Sequence, residues 1–280
     1  MFIDAHFHSW QLSRGDYGWL TPDIGAIYRD VAVADWKKLA EPLGIIGGIL
    51  VQAAATVAET RHLLALTEAN PAVLGVVGWV DFTAADAVLQ IDQLGKNSKL
   101  KGLRPMLHDL PDPAWILQPA VQPALAAMEK HHLVFDALIR PAHLPHILTI
   151  AQRYPKLAIV IDHGGKPEIA RGVETAWQPW AQGMAALAER PNVSCKLSGL
   201  FTEAGKSPHA TLCTPWIECI LEVFGTERII WGSDWPVLEL ASDYQSWFEE
   251  CYFLTKKYSQ SQSDNIFSNN ATRIYKLPVI

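Results

Sequence analysis

Short apolar runs recur along the chain, and the stretches between them carry their apolar positions three or four residues apart. The runs span Phe2 to His8, Ile45 to Ala53, Leu74 to Val80, Leu100 to Leu107, Leu133 to Ile139, Leu157 to Asp162, Val193 to Leu197 and Arg228 to Gly232. Each is short and mostly apolar, as strands covered on both faces should be. Between them, Ala55 to Asn70 places Leu63, Leu64 and Leu66 near one helical face, and Pro119 to His132 opens on Pro119 and Pro123. Thr56, Asn70-Pro71, Thr83, Tyr154-Pro155 and Arg190-Pro191 punctuate the helix starts and stops.

Eight such strand–helix units without a Gly-x-Gly-x-x-Gly turn predict a closed barrel rather than an open dinucleotide-binding sheet. The expected architecture is α/β, a single-domain (β/α)₈ TIM barrel over residues 1–280, a length such a barrel commonly has. No residue-level repeat, low-complexity linker or shift of composition divides the chain. The segment Gln11 to Asp30, with Gly15, Tyr17, Gly18, Trp19, Pro22 and Gly25, follows neither period and reads as a long first βα loop. Loops of that kind lie at the C-terminal face of a barrel and supply binding residues, so this one is a candidate lid or pocket wall.

Polar residues cluster at the ends of the predicted strands. Side chains two apart share a strand face, so Asp4, His6 and His8 are expected on one side and Ile3, Ala5 and Phe7 on the other. Two imidazoles in a barrel interior suit metal ligation or donation to an anionic substrate group. The same parity joins Ile230, Gly232 and Asp234, and strand eight neighbours strand one in a closed barrel. Asp234 can therefore approach His6 and His8, as a ligand or as the general base that activates water. Arg104, late on strand four, is placed to hold a carboxylate or polarise a carbonyl, or to form a structural ion pair. His163 precedes Gly164-Gly165 at the end of strand six, where the backbone or a ligand can approach closely. Lys196 shares a polar face with Ser194 and Ser198 and needs an anionic partner, at the site or in the core. Trp10, Trp115 and Trp235 follow strand ends or lie in their loops, where indole faces can stack on a sugar ring.

Composition narrows the function. Hydrophobic residues make up 49% and charged residues 19%, which excludes disorder, and the longest apolar run, Gly44 to Ala55, is too short to cross a bilayer. The net charge is −6, with no basic patch interleaved with aromatics, so neither nucleic acid nor membrane is expected as a partner. The strand-like Phe2-Ile3-Asp4 start leaves no room for a signal segment, which predicts a cytoplasmic protein. Cys195, Cys213, Cys219 and Cys251 form no C-x-x-C pair and read as reduced, small apolar residues. The oligomeric state is not legible.

Asp4-Ala5-His6-Phe7-His8, Lys101-Gly102-Leu103-Arg104-Pro105-Met106, Val160-Ile161-Asp162-His163-Gly164-Gly165-Lys166-Pro167, Cys195-Lys196-Leu197-Ser198-Gly199 and Trp231-Gly232-Ser233-Asp234-Trp235-Pro236 together resemble the amidohydrolase superfamily. The likeness is to its amidohydrolase-2 branch of metal-dependent barrel hydrolases, which contains sugar lactonases, and it runs nearly end to end. It implies a hydrolase acting on a small sugar lactone of the L-fuconolactone or related aldonolactone type, with L-rhamnonolactone as a close competitor. The Arg104-Pro105-Met106 and His108-Asp109 stretch is similar to the fuconolactonase-like subgroup. The resemblance carries His6 and His8 over as ligands or substrate donors, His163 as the sixth-strand histidine, Asp234 as general base and Arg104 as a substrate-binding residue. His163 with Arg104 or a metal then stabilises the oxyanion, and Trp10, Trp115, Lys196 and Trp235 join Arg104 in holding the substrate. The cofactor implied is one divalent metal, zinc, on His6, His8 and Asp234, or none, since related lactonases work without metal. Arg104 and Asp136 stand where many metal-bearing members have further ligands, which argues against a binuclear centre. The competing readings are a metal-dependent non-oxidative decarboxylase on the same barrel and a non-catalytic sugar-acid binding protein.

Overall fold

The computed structural model describes residues 1–205 and 210–278. Eight parallel strands form one sheet in sequence order: β1 (Phe2–Phe7), β2 (Ile45–Val51), β3 (Val73–Gly78), β4 (Leu100–Leu103), β5 (Val134–Ala137), β6 (Ile159–Ile161), β7 (Val193–Leu197) and β8 (Ile229–Trp231). The barrel closes just past the end of β8, where Asp234 N donates to His6 O at 2.8 Å and His8 N to Trp235 O at 2.8 Å. Those two bonds fix Asp234 beside the first-strand histidines. Around the barrel run α1 (Val33–Ala40), α2 (Val57–Ala69), α3 (Ala87–Leu94), α4 (Gln122–Lys130), α5 (Leu144–Arg153), α6 (Val173–Ala188), α7 (Leu200–Glu203), α8 (Ala210–Phe224), α9 (Tyr244–Thr255), α10 (Gln260–Asp264) and α11 (Asn270–Ile274). The expected (β/α)₈ barrel is the observed one.

The strands alternate as their sequences dictate. Ile49, Val51, Val77, Val134, Val160 and Ile230 form one buried cluster inside the barrel, closed from below by Tyr275 at the end of α11. Leu50, Val76, Phe135, Ile161, Leu197 and Trp231 join the second cluster, between strands and helices. β4 is shorter than the predicted Leu100 to Leu107 because Pro105 lacks a ladder donor and Leu107–Asp109 turns into a 3₁₀ helix. The predicted Pro119 helix begins as a 3₁₀ turn over Pro119–Val121 before α4.

The first strand departs from simple alternation. Its register against β2 shifts between Asp4 and Phe7, and Ile3 and Ala5 belong to the interior cluster. Asp4 lies on the opposite side, where its carboxylate accepts from Trp36 Nε1 at 2.9 Å, Tyr244 Oη at 2.8 Å and Ser233 Oγ at 2.6 Å. Asp4 Oδ1 also accepts from His6 N at 3.1 Å, bending the strand so that His6 turns inward. The expected grouping of Asp4 with His6 and His8 is therefore corrected: Asp4 buttresses the barrel wall from outside, and the histidines face the interior without it.

Candidate active site

Each site residue lies at or just beyond the C-terminal end of a strand: His8 after β1, Arg104 after β4, His163 after β6, Ser198 after β7 and Asp234 after β8. Gly232 allows the close approach of β8 to β1, because a Cβ there would lie 2.7 Å from His6 Cβ. Gly199 has φ +64°, and a Cβ on it would meet the His163 ring at 2.6 Å. His163 and Asp234 themselves adopt left-handed backbone, φ 52° and 59°, a conformation that L-residues enter at a cost and that recurs at functional positions.

Two layers of polar groups fill the upper barrel. In the lower one, Lys196 Nζ lies 2.5 Å from Asp136 and 3.0 Å from Asp162, while Arg104 Nη1 lies 3.3 Å from Asp162 and its Nη2 donates to Gln52 O. Tyr275 Oη donates to Asp136 at 2.9 Å. Two cations thus meet two carboxylates, all buried. Burial alone would raise Asp162, but Lys196, His6 and Arg104 outweigh it and hold the acid well below its ordinary range. Burial raises Asp136 despite Lys196.

The upper layer is Asp234 and three imidazoles. Asp234 Oδ1 lies 3.3 Å from His8 Nε2, 3.6 Å from His6 Nε2 and 3.8 Å from His163 Nε2. Burial holds His6 and His163 well below the ordinary histidine value, so both are neutral at neutral pH. Burial would also raise Asp234, yet its electrostatic interaction with the His163 ring and the His8 hydrogen bond bring it below the usual carboxylate value, leaving it ionised. His8 Nδ1 is anchored on Val51 O at 2.8 Å and His163 Nδ1 on Ser198 Oγ at 2.9 Å.

Above this layer opens a cavity of about 270 Å³ lined by His8, Trp19, Ala53, Arg104, Met106, His108, Asp109, Leu138, His163, Lys166, Asp234 and Val237. His8, Arg104, His163 and Asp234 thus converge as expected. Lys196 does not reach the cavity: it is fully buried below His6, whose Nδ1 is 3.3 Å away. The indoles expected to stack on substrate also stand apart. Trp10 and Trp235 are buried, their Nε1 atoms donating to Arg29 O and Glu239 Oε1, and Trp115 packs against the core in a 3₁₀ turn. The indole at the cavity is Trp19, on the loop read as a pocket wall, with Nε1 donating to Ala53 O at 2.7 Å. Lys166, paired with Glu203, and the His108–Asp109 pair at 3.2 Å form the polar rim. The Gly/Pro punctuation around Trp19 was the available signal for it; Lys166 stands in the Val160 to Pro167 motif, where no residue pattern gave it a role of its own.

One donor atom from each of His6, His163 and Asp234 falls within 4.8 Å of the others, a nitrogen and oxygen set that suits one divalent ion. That group includes His163 and not the expected His8, whose Nδ1 is held by Val51 O and whose Nε2 lies 3.3 Å from Asp234 Oδ1. Arg104 Nη1, 3.4 Å from His6 Nε2, places a fixed positive charge beside the same group. Among the described residues no helix is long and apolar enough to cross a membrane.

A family model described as amidohydrolase matches residues 3–277. The chain is 42% identical to a Burkholderia ambifaria protein named L-fucono-1,5-lactonase, over 98% of this chain and 95% of that one. It is 30% identical to a Burkholderia multivorans protein of the same name, over 99% and 96% respectively. A crystal structure of an amidohydrolase from Burkholderia multivorans with bound zinc superposes with a TM-score of 0.93 at 30% identity, covering 99% of this chain and all of that one.

Proposed function

The chain belongs to the amidohydrolase family, and from that premise we propose that it hydrolyses the ester bond of a small sugar lactone, with L-fuconolactone-like aldonolactones as its substrate class. The observation that carries this reading is the state of Asp234. Arg104 and Lys196 are matched by Asp136 and Asp162, whereas Asp234 is a further ionised carboxylate at the cavity whose ion-pair partners, among the described residues, are imidazoles. An ionised carboxylate open to a small polar cavity is equipped to take a proton from water.

The cavity lies below the roughly 300 Å³ from which sites for drug-sized ligands range, and fits a small ring. Trp19, Met106, Leu138 and Val237 give that ring an apolar side, and His108, Asp109 and Lys166 give its hydroxyls partners. Asp234 accepts a proton as water adds to the lactone carbonyl, and the developing oxyanion is stabilised by Arg104 and by the Nε2–H of neutral His163. Collapse breaks the bond between carbonyl carbon and ring oxygen, and Asp234 returns its proton to the departing alkoxide. The alkoxide of an ester leaves more readily than the amine of an amide, which suits a site with this modest set of groups. His6, His163 and Asp234 are the residues that would hold a divalent ion, zinc by their donor types, which when bound would polarise the carbonyl and acidify water.

The test is acid release from L-fucono-, L-galactono-, D-arabinono- and L-rhamnono-lactones by the purified protein, before and after chelation. Selective hydrolysis of one or more is expected. Hydrolysis that survives chelation assigns the oxyanion to Arg104 and His163, and loss restored by zinc assigns it to the ion. No hydrolysis of any lactone overturns the proposal.

A further inference from the structure

Glu59 is fully buried, does not line the cavity, and is bonded in a way its sequence position does not suggest. Thr56-x-x-Glu59 opens α2, and Thr56 Oγ1 caps it by accepting from Glu59 N at 3.0 Å. In the familiar reciprocal arrangement the Glu side chain would return to the backbone N–H of Thr56. Here it reaches further back: Ala53 N donates to both carboxylate oxygens, at 3.1 and 3.0 Å, and Ala54 N to Oε2 at 2.6 Å. Ala53 lines the cavity, and its carbonyl is the acceptor for Trp19 Nε1. One carboxylate therefore fixes the peptide on which the cavity's indole hangs.

We propose that Glu59 is a positioning residue for the substrate pocket, holding the Trp19 wall in place through Ala53. The inference rests on the cavity being the lactone site, and it deepens that reading by naming what shapes its wall. The groups facing Glu59 are the Tyr17 hydroxyl and the Asp16 carboxylate from the first loop. Asp16 is in turn held by Arg14 at 2.7 Å and by Thr56 Oγ1 at 3.0 Å, so the loop is tied to the start of α2 beside the same acid. Burial pushes the Glu59 carboxyl up to about 7, against the pull of the Ala54 and Ala53 N–H groups. Above that point both oxygens accept charge-assisted bonds from the backbone. Below it one oxygen carries a proton, its bond from Ala53 weakens, and the wall loosens.

The experiment follows the Trp19 indole N–H by ¹H–¹⁵N NMR, the resonance being assigned by its loss in Trp19→Phe, alongside KM for the best lactone against pH. The indole resonance is expected to shift with a midpoint near 7. KM should rise roughly fivefold from one pH unit above that midpoint to one below, about the worth of one weakened hydrogen bond. Both steps should vanish in Glu59→Gln, and the KM step should vanish in Trp19→Phe, which supplies the answer if Glu59→Gln does not fold. An indole resonance that stays still across the range, or a KM step that persists in these variants, overturns the proposal. An indole resonance that moves as expected in a protein that opens no lactone leaves the tether standing and removes the activity instead.

Discussion

The two polar layers of the upper barrel are built from the same residue types and do opposite things. In the lower layer every charge meets its opposite: Lys196 bridges Asp136 and Asp162, and Arg104 completes the set. Pairs this deep repay their desolvation only while complete, so the layer behaves as a rigid floor. In the upper layer a carboxylate is surrounded by three imidazoles, two of which, His6 and His163, burial keeps neutral, and its charge is left facing the cavity. Burial with a matched counterion makes a scaffold; burial without one makes a reagent. Arg104 belongs to both, with one edge against Asp162 and another part of the side chain at the cavity wall.

The sharpest way to break that contrast is Asp234→Asn, which keeps the shape and removes the base. Turnover is expected to fall by roughly 10³-fold, within the range for a lost general base, while urea unfolding shows no loss of stability; near wild-type lactone hydrolysis would sink the assignment. Lys196→Met makes the converse test, since it strands Asp136 and Asp162. It should cost about 3–5 kcal/mol of unfolding free energy, read from the urea midpoint, and a midpoint equal to wild type would show that the floor is not held by its charges. Ser198→Ala removes the hydroxyl that orients His163 through Nδ1. A drop of roughly tenfold or more in kcat is expected, recovered in Ser198→Thr, and equal loss in both variants would make the site's tolerance steric instead. The smallest effect belongs to Trp19→Ala, which leaves both layers intact: KM should rise by about fivefold to tenfold with kcat little changed, and a collapse of kcat would place the indole in the chemistry.

How far these layers could be read beforehand differs residue by residue. Asp234, His163 and Arg104 were legible because each is a polar residue late in or just after an apolar run, and the ends of barrel strands face one mouth. Asp234 reached the interior although it lies past the end of β8 with left-handed backbone, because its N–H is held by His6 O, whereas the parity of Asp4 failed because a register shift in β1 reverses the alternation. Strand parity states direction without depth, so the sequence does not decide whether Lys196 pairs at the site or in the core. The indoles were the clearest miss: Trp10 and Trp235 follow strand ends but fold away from the cavity, and Trp19 reaches it from mid-loop. A ring's destination in an irregular loop depends on which carbonyl accepts its N–H, and for Trp19 that is Ala53, thirty-four positions away.

The sequence by itself determined the eight-stranded barrel, the strand ends that carry chemistry and the residue types available there, because alternation and helical spacing are local properties repeated many times. The tertiary structure decided which of those residues share a charge and which are left with one unmatched. That choice rests on distances of about 3 Å between side chains far apart in the chain, such as the 3.3 Å from Arg104 to Asp162 and from His8 to Asp234. Coulomb energies in a buried interior change steeply over such separations, and no periodicity in the chain encodes them.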